Sequence, residues 1–344
     1  MSPRRGGEQD SGWTRRFEQG DFDAENADSV QRFSKRSKFA QDNKMRRTAD
    51  LRLADVQLSA ELEGLPLGEV IQVFSVYVEV LCDGVTYLST LRRTLQRLAG
   101  IPVVVGDFVR IRKSNTTHDS GQPEAAIEQV LPRSTILARQ DSFRKDLLDP
   151  IVANAGQMLI VTSILQPRVK WGLVERMLIA AESGKLKPIV CLNKLDLAAA
   201  DPAALEEANQ VMDHYGSLGI QILRTSIITG QGVDELRTIL KDQKTVLAGH
   251  SGVGKSSLIQ SAAPEISIRV GVVSDFNEKG RHTTTSARRY ALAMGGFVID
   301  TPGVKQFGLV DVTADTLSDF FPDVAAGNAP AWREESYQRI LESL

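Results

Sequence analysis

Residues 249–257 read GHSGVGKSS, directly after the apolar run TVLA and before LIQSAA. The pattern G-x-x-x-x-G-K-[ST] works only where a strand feeds a glycine loop that opens a helix. Backbone N–H groups and the helix dipole then converge on phosphate. A chain carrying it is constrained to a layered α/β fold with a mostly parallel sheet. Average composition produces the pattern by chance in about one chain of this length in a hundred, and the flanking strand and helix lower that further. We assign Gly249, His250, Ser251, Gly252, Val253, Gly254, Lys255, Ser256 and Ser257 to phosphate binding. Lys255 is expected to neutralise the β and γ phosphates, and Ser256 to ligate Mg²⁺.

A second stretch, CLNKLDL at 191–197, places Asn193, Lys194 and Asp196 just past the apolar strand PIVCL. A carboxylate there accepts hydrogen bonds from guanine N1–H and the N2 amine, a donor pair that adenine lacks. Asn193 is expected to brace neighbouring loops, and the Lys194 stem to cover the base. TSIITGQG then offers Ser226 and Ile227 as backbone donors to the guanine oxygen. A third element, Asp300-Thr301-Pro302-Gly303, ends the apolar strand GFVID. Its position suits an Asp300 that holds Mg²⁺ through water and a Gly303 N–H that senses the γ phosphate. Between the phosphate loop and that strand, KGRHTTTSARRY offers Thr283, Thr284 and Thr285, of which Thr284 is the candidate Mg²⁺ ligand in the GTP state. The base-reading stretch precedes the phosphate loop, the reverse of the usual order in GTP-binding domains. Joining a domain's original ends and cutting it elsewhere rotates motif order while keeping the site. The sequence therefore predicts a circularly permuted GTPase domain over residues 150–310, in which the segment after Asp300 runs straight into the C-terminal residues 311–344.

The remainder of the chain reads differently. Residues 65–140 hold several short β-branched and aromatic stretches broken at turns such as Asp83-Gly84, which predicts a small β-barrel, OB-like or SH3-like. Residues 1–60 show no sustained period. Within them Arg32, Lys35, Arg36, Lys38, Lys44, Arg46, Arg47 and Arg52 form a basic arm, read as disordered and suited to phosphate backbones. The net charge of −2 excludes a strongly basic protein overall, so any nucleic-acid contact is local. Cys82 and Cys191 are the only cysteines, too few for a disulfide framework or a Cys-rich zinc site. No apolar run reaches the roughly 18 residues of a membrane span and the N-terminus lacks a secretory apolar stretch, so a cytoplasmic protein is expected.

The order of barrel, base motif, phosphate loop, GRHTTT and DTPG resembles the small-ribosomal-subunit biogenesis GTPases of the RsgA type, over roughly residues 65–320. SGVGKSSL, GRHTTT and IDTPGV are phrases of that family, and ESYQRIL resembles its terminal helix. The resemblance implies an OB-fold barrel lying on 16S rRNA and GTP hydrolysis stimulated by the small (30S) subunit during its late maturation. A monomer is expected. Val304 stands where Ras-like enzymes carry a water-orienting Gln, and the resemblance points to His282 as its substitute. Family members usually hold zinc in a Cys/His module before the terminal helix. FFPDVAAGNAPAWREESYQ contains neither residue, so no zinc is expected here. Two other functions fit the motifs less fully: a GTP-dependent RNA-binding switch with little hydrolysis, and a large-subunit assembly GTPase, a class that lacks the barrel.

Overall fold

The computed structural model describes residues 60–74, 76–91, 102–140, 148–266, 287–301 and 307–344. The basic arm, the GRHTTT stretch with His282 and Thr283 to Thr285, and the Gly303–Val304 pair lie outside them.

Five strands build the barrel: β1 (Leu67–Val73), β2 (Val78–Cys82), β3 (Val85–Leu91), β4 (Phe108–Thr117) and β5 (Pro123–Val130). β2 alternates buried and half-buried residues as a one-sided strand should. Its turn to β3 sets Asp83 at φ 51° and Gly84 at φ 77°, the left-handed pair that a two-residue hairpin requires. Neighbouring strands run β1-β2-β3-β5-β4, and β4 returns to β1, with Leu67 opposite Arg110 and Glu69 opposite Phe108. The contact of β3 with β5 is parallel and the others are antiparallel. This closed five-stranded Greek key is an OB barrel. Val70, Val80, Val109, Ile111 and Ile127 fill it. At its base the Arg133 guanidinium grips the buried Asp107 carboxylate twice, at 2.7 and 2.8 Å.

Closure has a consequence for the next strand. STILAR reads as a continuation of the barrel, yet β6 (Ile136–Gln140) pairs with β7 (Leu148–Ala153) in a separate two-stranded sheet. With β4 returned to β1, the barrel offers β6 no edge.

The remaining strands are β8 (Gln157–Ser163), β9 (Lys187–Asn193), β10 (Gln221–Arg224), β11 (Gln243–Ala248), β12 (Arg288–Ala291) and β13 (Gly296–Asp300), ordered β10-β9-β8-β11-β13-β12. All pairings but β12–β13 are parallel. β8 is buried along its whole length, as a central parallel strand must be. Helices α1 (Trp171–Ser183) and α2 (Pro202–Ser217) cover one face through Met177, Leu178, Val211 and Met212. Helices α3 (Val233–Leu240) and α4 (Lys255–Ala262) cover the other through Leu236, Leu240, Leu258 and Ile259. Two covered faces make the sheet doubly wound. β12, which falls in the polar stretch SARRY and has no strand signature in sequence, borders the barrel: Gln72 of β1 pairs with Arg288. Barrel and nucleotide-type sheet thus form one sheet of 11 strands.

After β13 the chain rejoins the β6–β7 hairpin at Phe307, which bridges Arg139, and closes with α5 (Pro322–Ala325) and α6 (Ala331–Leu341). Among the described residues no helix is long and apolar enough to cross a membrane.

Candidate nucleotide site

The chain runs β8, β9 and β10 outward on one side, then returns to place β11 on the other side of β8. That reversal is the topological switch point where such sheets leave a crevice beyond their strand ends. The loops after β9, β10 and β11 meet there, and β13 ends beside them at Asp300.

The phosphate loop needs its glycines for two reasons. Gly249, Gly252 and Gly254 adopt φ of 136°, 84° and 95°, a region that side chains disfavour. A Cβ on Gly249 would also lie 2.1 Å from the Val161 carbonyl, and one on Gly254 would lie 2.7 Å from Asn193 Nδ2. The ends of β8 and β9 therefore press on this loop. Val253 turns inward to the core beneath α4, while Ser251 and Gly252 are exposed. His250 donates from Nδ1 to the Ser251 carbonyl at 2.8 Å. Ser256 and Ser257 sit half-buried in the first turn of α4.

Lys255 Nζ donates to the carbonyls of Gly249 at 2.8 Å and His250 at 3.0 Å, so the ammonium caps the loop it belongs to. Burial lowers its pKa, and the nearby Asp300 carboxylate works the other way. Asp300 ends β13 opposite Leu247 of β11. Burial raises its carboxyl pKa above the ordinary value, with Lys255 opposing. A half-covered cation facing a half-covered carboxylate is an arrangement ready for a phosphate and a divalent cation between them. The donors, one hydroxyl on α4 and one carboxylate, are hard oxygens that suit Mg²⁺. Among the described residues no group of three or more His, Cys, Asp or Glu side chains is placed to hold a metal ion.

On the base-reading side, Asn193 is fully buried and does bracing work. Its Nδ2 donates to the Val253 carbonyl at 3.0 Å, and its Oδ1 accepts from the Thr225 hydroxyl at 2.9 Å. Thr225 thereby joins the site, a residue that sequence reasoning missed although it begins the quoted TSIITGQG. Lys194, left-handed at φ 61°, donates to the Gly252 carbonyl at 2.7 Å and to the Gln166 carbonyl. Its stem thus spans the gap between base loop and phosphate loop. Asp196 is exposed, and its Oδ1 accepts from the Ser226 hydroxyl at 2.6 Å.

One expectation needs correction. The Ser226 N–H, expected to face a guanine oxygen, donates to the Gln231 carbonyl at 3.1 Å. Ser226 contributes its hydroxyl, which orients Asp196, and Ile227 remains as the candidate backbone donor.

With this geometry established, the comparisons with known proteins decide the family. The family model described as RsgA GTPase matches residues 130–310. The chain belongs to the RsgA GTPase family. A small ribosomal subunit biogenesis GTPase RsgA of Photorhabdus laumondii is 38% identical over 269 residues, 78% of this chain and 73% of that protein. Its namesake in Serratia proteamaculans is 32% identical over 338 residues, covering 88% and 93%. Among solved structures, YjeQ from Thermotoga maritima matches with a TM-score of 0.61 and 26% identity over 81% of this chain and 98% of that one. YloQ, described as a circularly permuted GTPase, matches at a TM-score of 0.58 over 83% and 97% of the two chains, and its 21% identity bears on fold alone. As an RsgA GTPase the chain is a GTP-hydrolysing enzyme. The reversed motif order is thus the family's circular permutation, carried by a parallel sheet and preceded by an OB barrel.

Proposed function

We propose that this GTPase acts in late maturation of the small ribosomal subunit, hydrolysing GTP to GDP and phosphate while bound to 16S rRNA as a monomer in the cytoplasm. The observation that carries the nucleotide reading is the Asp196 carboxylate held by Ser226 at 2.6 Å, on the same loop whose Lys194 touches the phosphate loop. Relatives named small ribosomal subunit biogenesis GTPase support the partner.

In this reading Asp196 accepts from guanine N1–H and N2–H, Ile227 N–H meets the oxygen, and the Lys194 stem covers the ring. The loop amides of residues 249–254 take the phosphates. Lys255 leaves its two carbonyl acceptors for the β and γ oxygens, exchanging neutral partners for anionic ones. Ser256, Asp300 through water, and Thr284 are the residues that would hold Mg²⁺, which supplies charge neutralisation at the transferred phosphoryl group. Gly303 N–H reports the γ phosphate. His282 orients the attacking water, because Val304 has no hydrogen-bonding group.

The experiment is GTP turnover with and without purified small subunits, in the wild type and in His282→Ala, beside a binding assay with a non-hydrolysable analogue. Affinity is expected to survive in the variant. Stimulated turnover is expected to fall on the order of 10²-fold, the typical loss for a positioned catalytic group. Full stimulation in His282→Ala would remove that residue's role. A wild type indifferent to small subunits would remove the partner.

A further inference from the structure

β1 of the barrel and β13 of the nucleotide site are separated by a single strand. Gln72 pairs with Arg288, Arg288 with Asp300, and Asp300 with Leu247. One row of the sheet therefore runs from the barrel through the carboxylate at the phosphate end to the strand that opens the phosphate loop. At the usual strand spacing, Asp300 lies about 10 Å from the barrel's edge.

A single β1–β12 backbone pair is a weak attachment, and side chains reinforce it. Glu69 on β1 accepts from Lys244 of β11 at 3.0 Å and faces Arg289 of β12 at 3.5 Å. Lys244 Nζ lies 4.7 Å from the ring centre of Phe108 on β4 and 5.1 Å from that of Phe297 on β13. The Arg289 guanidinium lies 3.9 Å from the Phe297 ring centre. Two cations thus share one carboxylate, with the Glu69 and Arg289 side chains only 15% exposed. Their arrangement is incomplete. Arg289 Nη1 is buried and, among the described residues, has no hydrogen-bond acceptor, its distance to Glu69 being that of an ion pair only. Burial lowers the Arg289 pKa and Glu69 opposes it, so the charge gains from a closer approach. A small shift of the barrel against β12 would complete that bond. Such a shift would give the joint a second arrangement of different energy, which is what coupling between sites requires.

We propose that Glu69 and Arg289 are positioning residues that couple the barrel's placement to Asp300, the closer Glu69–Arg289 contact accompanying the GTP-bound arrangement. This rests on the nucleotide reading above. Linkage makes the effect reciprocal: RNA engagement that favours the closer contact favours the GTP-bound site, and GTP moves the barrel in return.

The second direction can be read without ribosomes. Spin labels at Asp119→Cys on the barrel and Lys241→Cys beyond α3 occupy exposed positions, while native Cys82 and Cys191 are buried. Pulsed dipolar spectroscopy compares the label distance with GDP and with a non-hydrolysable GTP analogue. A nucleotide-dependent change is expected in the wild-type background, retained in Arg289→Lys and lost in Glu69→Gln and Arg289→Leu, with GDP affinity unchanged. With small subunits at saturation, Glu69→Gln and Arg289→Leu are expected to lose about tenfold of the stimulated turnover while keeping intrinsic turnover and GDP-state co-sedimentation. No nucleotide-dependent change in the wild type, or the same change in both charge-removing variants, would overturn the joint. Failure of the wild type to bind guanine nucleotide is measured first and would remove the functional reading itself. Thermal unfolding of each variant separates loss of coupling from loss of fold.

Discussion

Asp196 and Asp300 are the two carboxylates proposed for the nucleotide site, and their surroundings differ. Asp196 is exposed, oriented by the Ser226 hydroxyl and open to a ligand. Asp196→Asn places a donor where guanine N2 also donates, whereas xanthine offers a carbonyl there. Competition binding is expected to show GTP affinity falling by at least ~10²-fold and xanthosine triphosphate gaining. Retained guanine selectivity would mean that another group reads the base. Asp300 is half-covered, and burial holds its carboxyl above the ordinary pKa while Lys255 opposes. A group whose folded pKa is raised gives stability that is present at low pH and lost as pH rises through that value. At pH 7 the ionised Asp300 therefore weighs against folding of the nucleotide-free protein. Asp300→Asn is expected to raise the thermal midpoint without nucleotide and to lower Mg²⁺-dependent hydrolysis. A lowered midpoint would show that attraction to Lys255 outweighs burial.

Helix α6 is the element whose attachment is least visible in its own sequence. It docks on α1 and α5 through Arg333, which donates to Glu175 of α1 and, at 2.8 Å, to Asp323 of α5. Tyr215 donates to Glu175 at 2.7 Å, and His214 meets Asp323 at 2.8 Å. Trp332 packs edge-on against the rings of His214 and Tyr215. Burial works against the Arg333 charge, and Glu175 and Asp323 outweigh it. Burial likewise pushes Asp323 upward, but His214 and Arg333 hold its carboxyl below the usual range. Arg333→Met would leave two covered carboxylates without their cation. Chemical denaturation at pH 7 is expected to show a loss of about 3–5 kcal/mol. The depressed Asp323 contributes stability that is present above its unfolded pKa and lost as pH falls through the folded value. The gap between wild type and variant is therefore expected to narrow in acid. Arg176 on α1 adds a second tie, donating to the Phe307 carbonyl at 3.3 Å and to Ser343 Oγ at 2.9 Å. The segment that follows Asp300 and the end of α6 thus share one clamp, a consequence of the permuted chain order.

At the scale of the molecule, charge is unevenly placed. The barrel residues 63–130 carry Arg92, Arg93, Arg97, Arg110, Arg112 and Lys113 against Glu63, Glu69, Glu79, Asp83, Asp107, Asp119, Glu124 and Glu128. Acids outnumber bases there, whereas the stretch from Arg32 to Arg52 holds eight basic residues against Asp42 and Asp50. Removing residues 1–60 is expected to weaken small-subunit binding. It should also reduce the salt dependence by roughly one unit of slope for each phosphate that the arm neutralises. Co-sedimentation across a salt series measures both, and an unchanged slope would mean that the phosphates are gripped elsewhere in the chain.

The phosphate loop, the base-reading loop and the strand ending at Asp300 were legible in the sequence because their chemistry is local. Glycines at 249, 252 and 254 are demanded by the loop's own dihedrals, and the apolar runs of β8, β9 and β11 announce burial within a few residues. The permutation followed from motif order alone. Tertiary structure decided what depends on partners far along the chain. β12 has no strand pattern because none of its residues is fully buried, and Gln72 and Arg288, which pair across its border with β1, are brought together only by folding. β6 joined β7 because the barrel had already closed on β1. Ser226 became an orienting hydroxyl because its N–H found Gln231. The Glu69–Lys244–Arg289 joint and the Arg333 network have no sequence signature, since a charged residue reads as surface until folding brings its partner and removes the water.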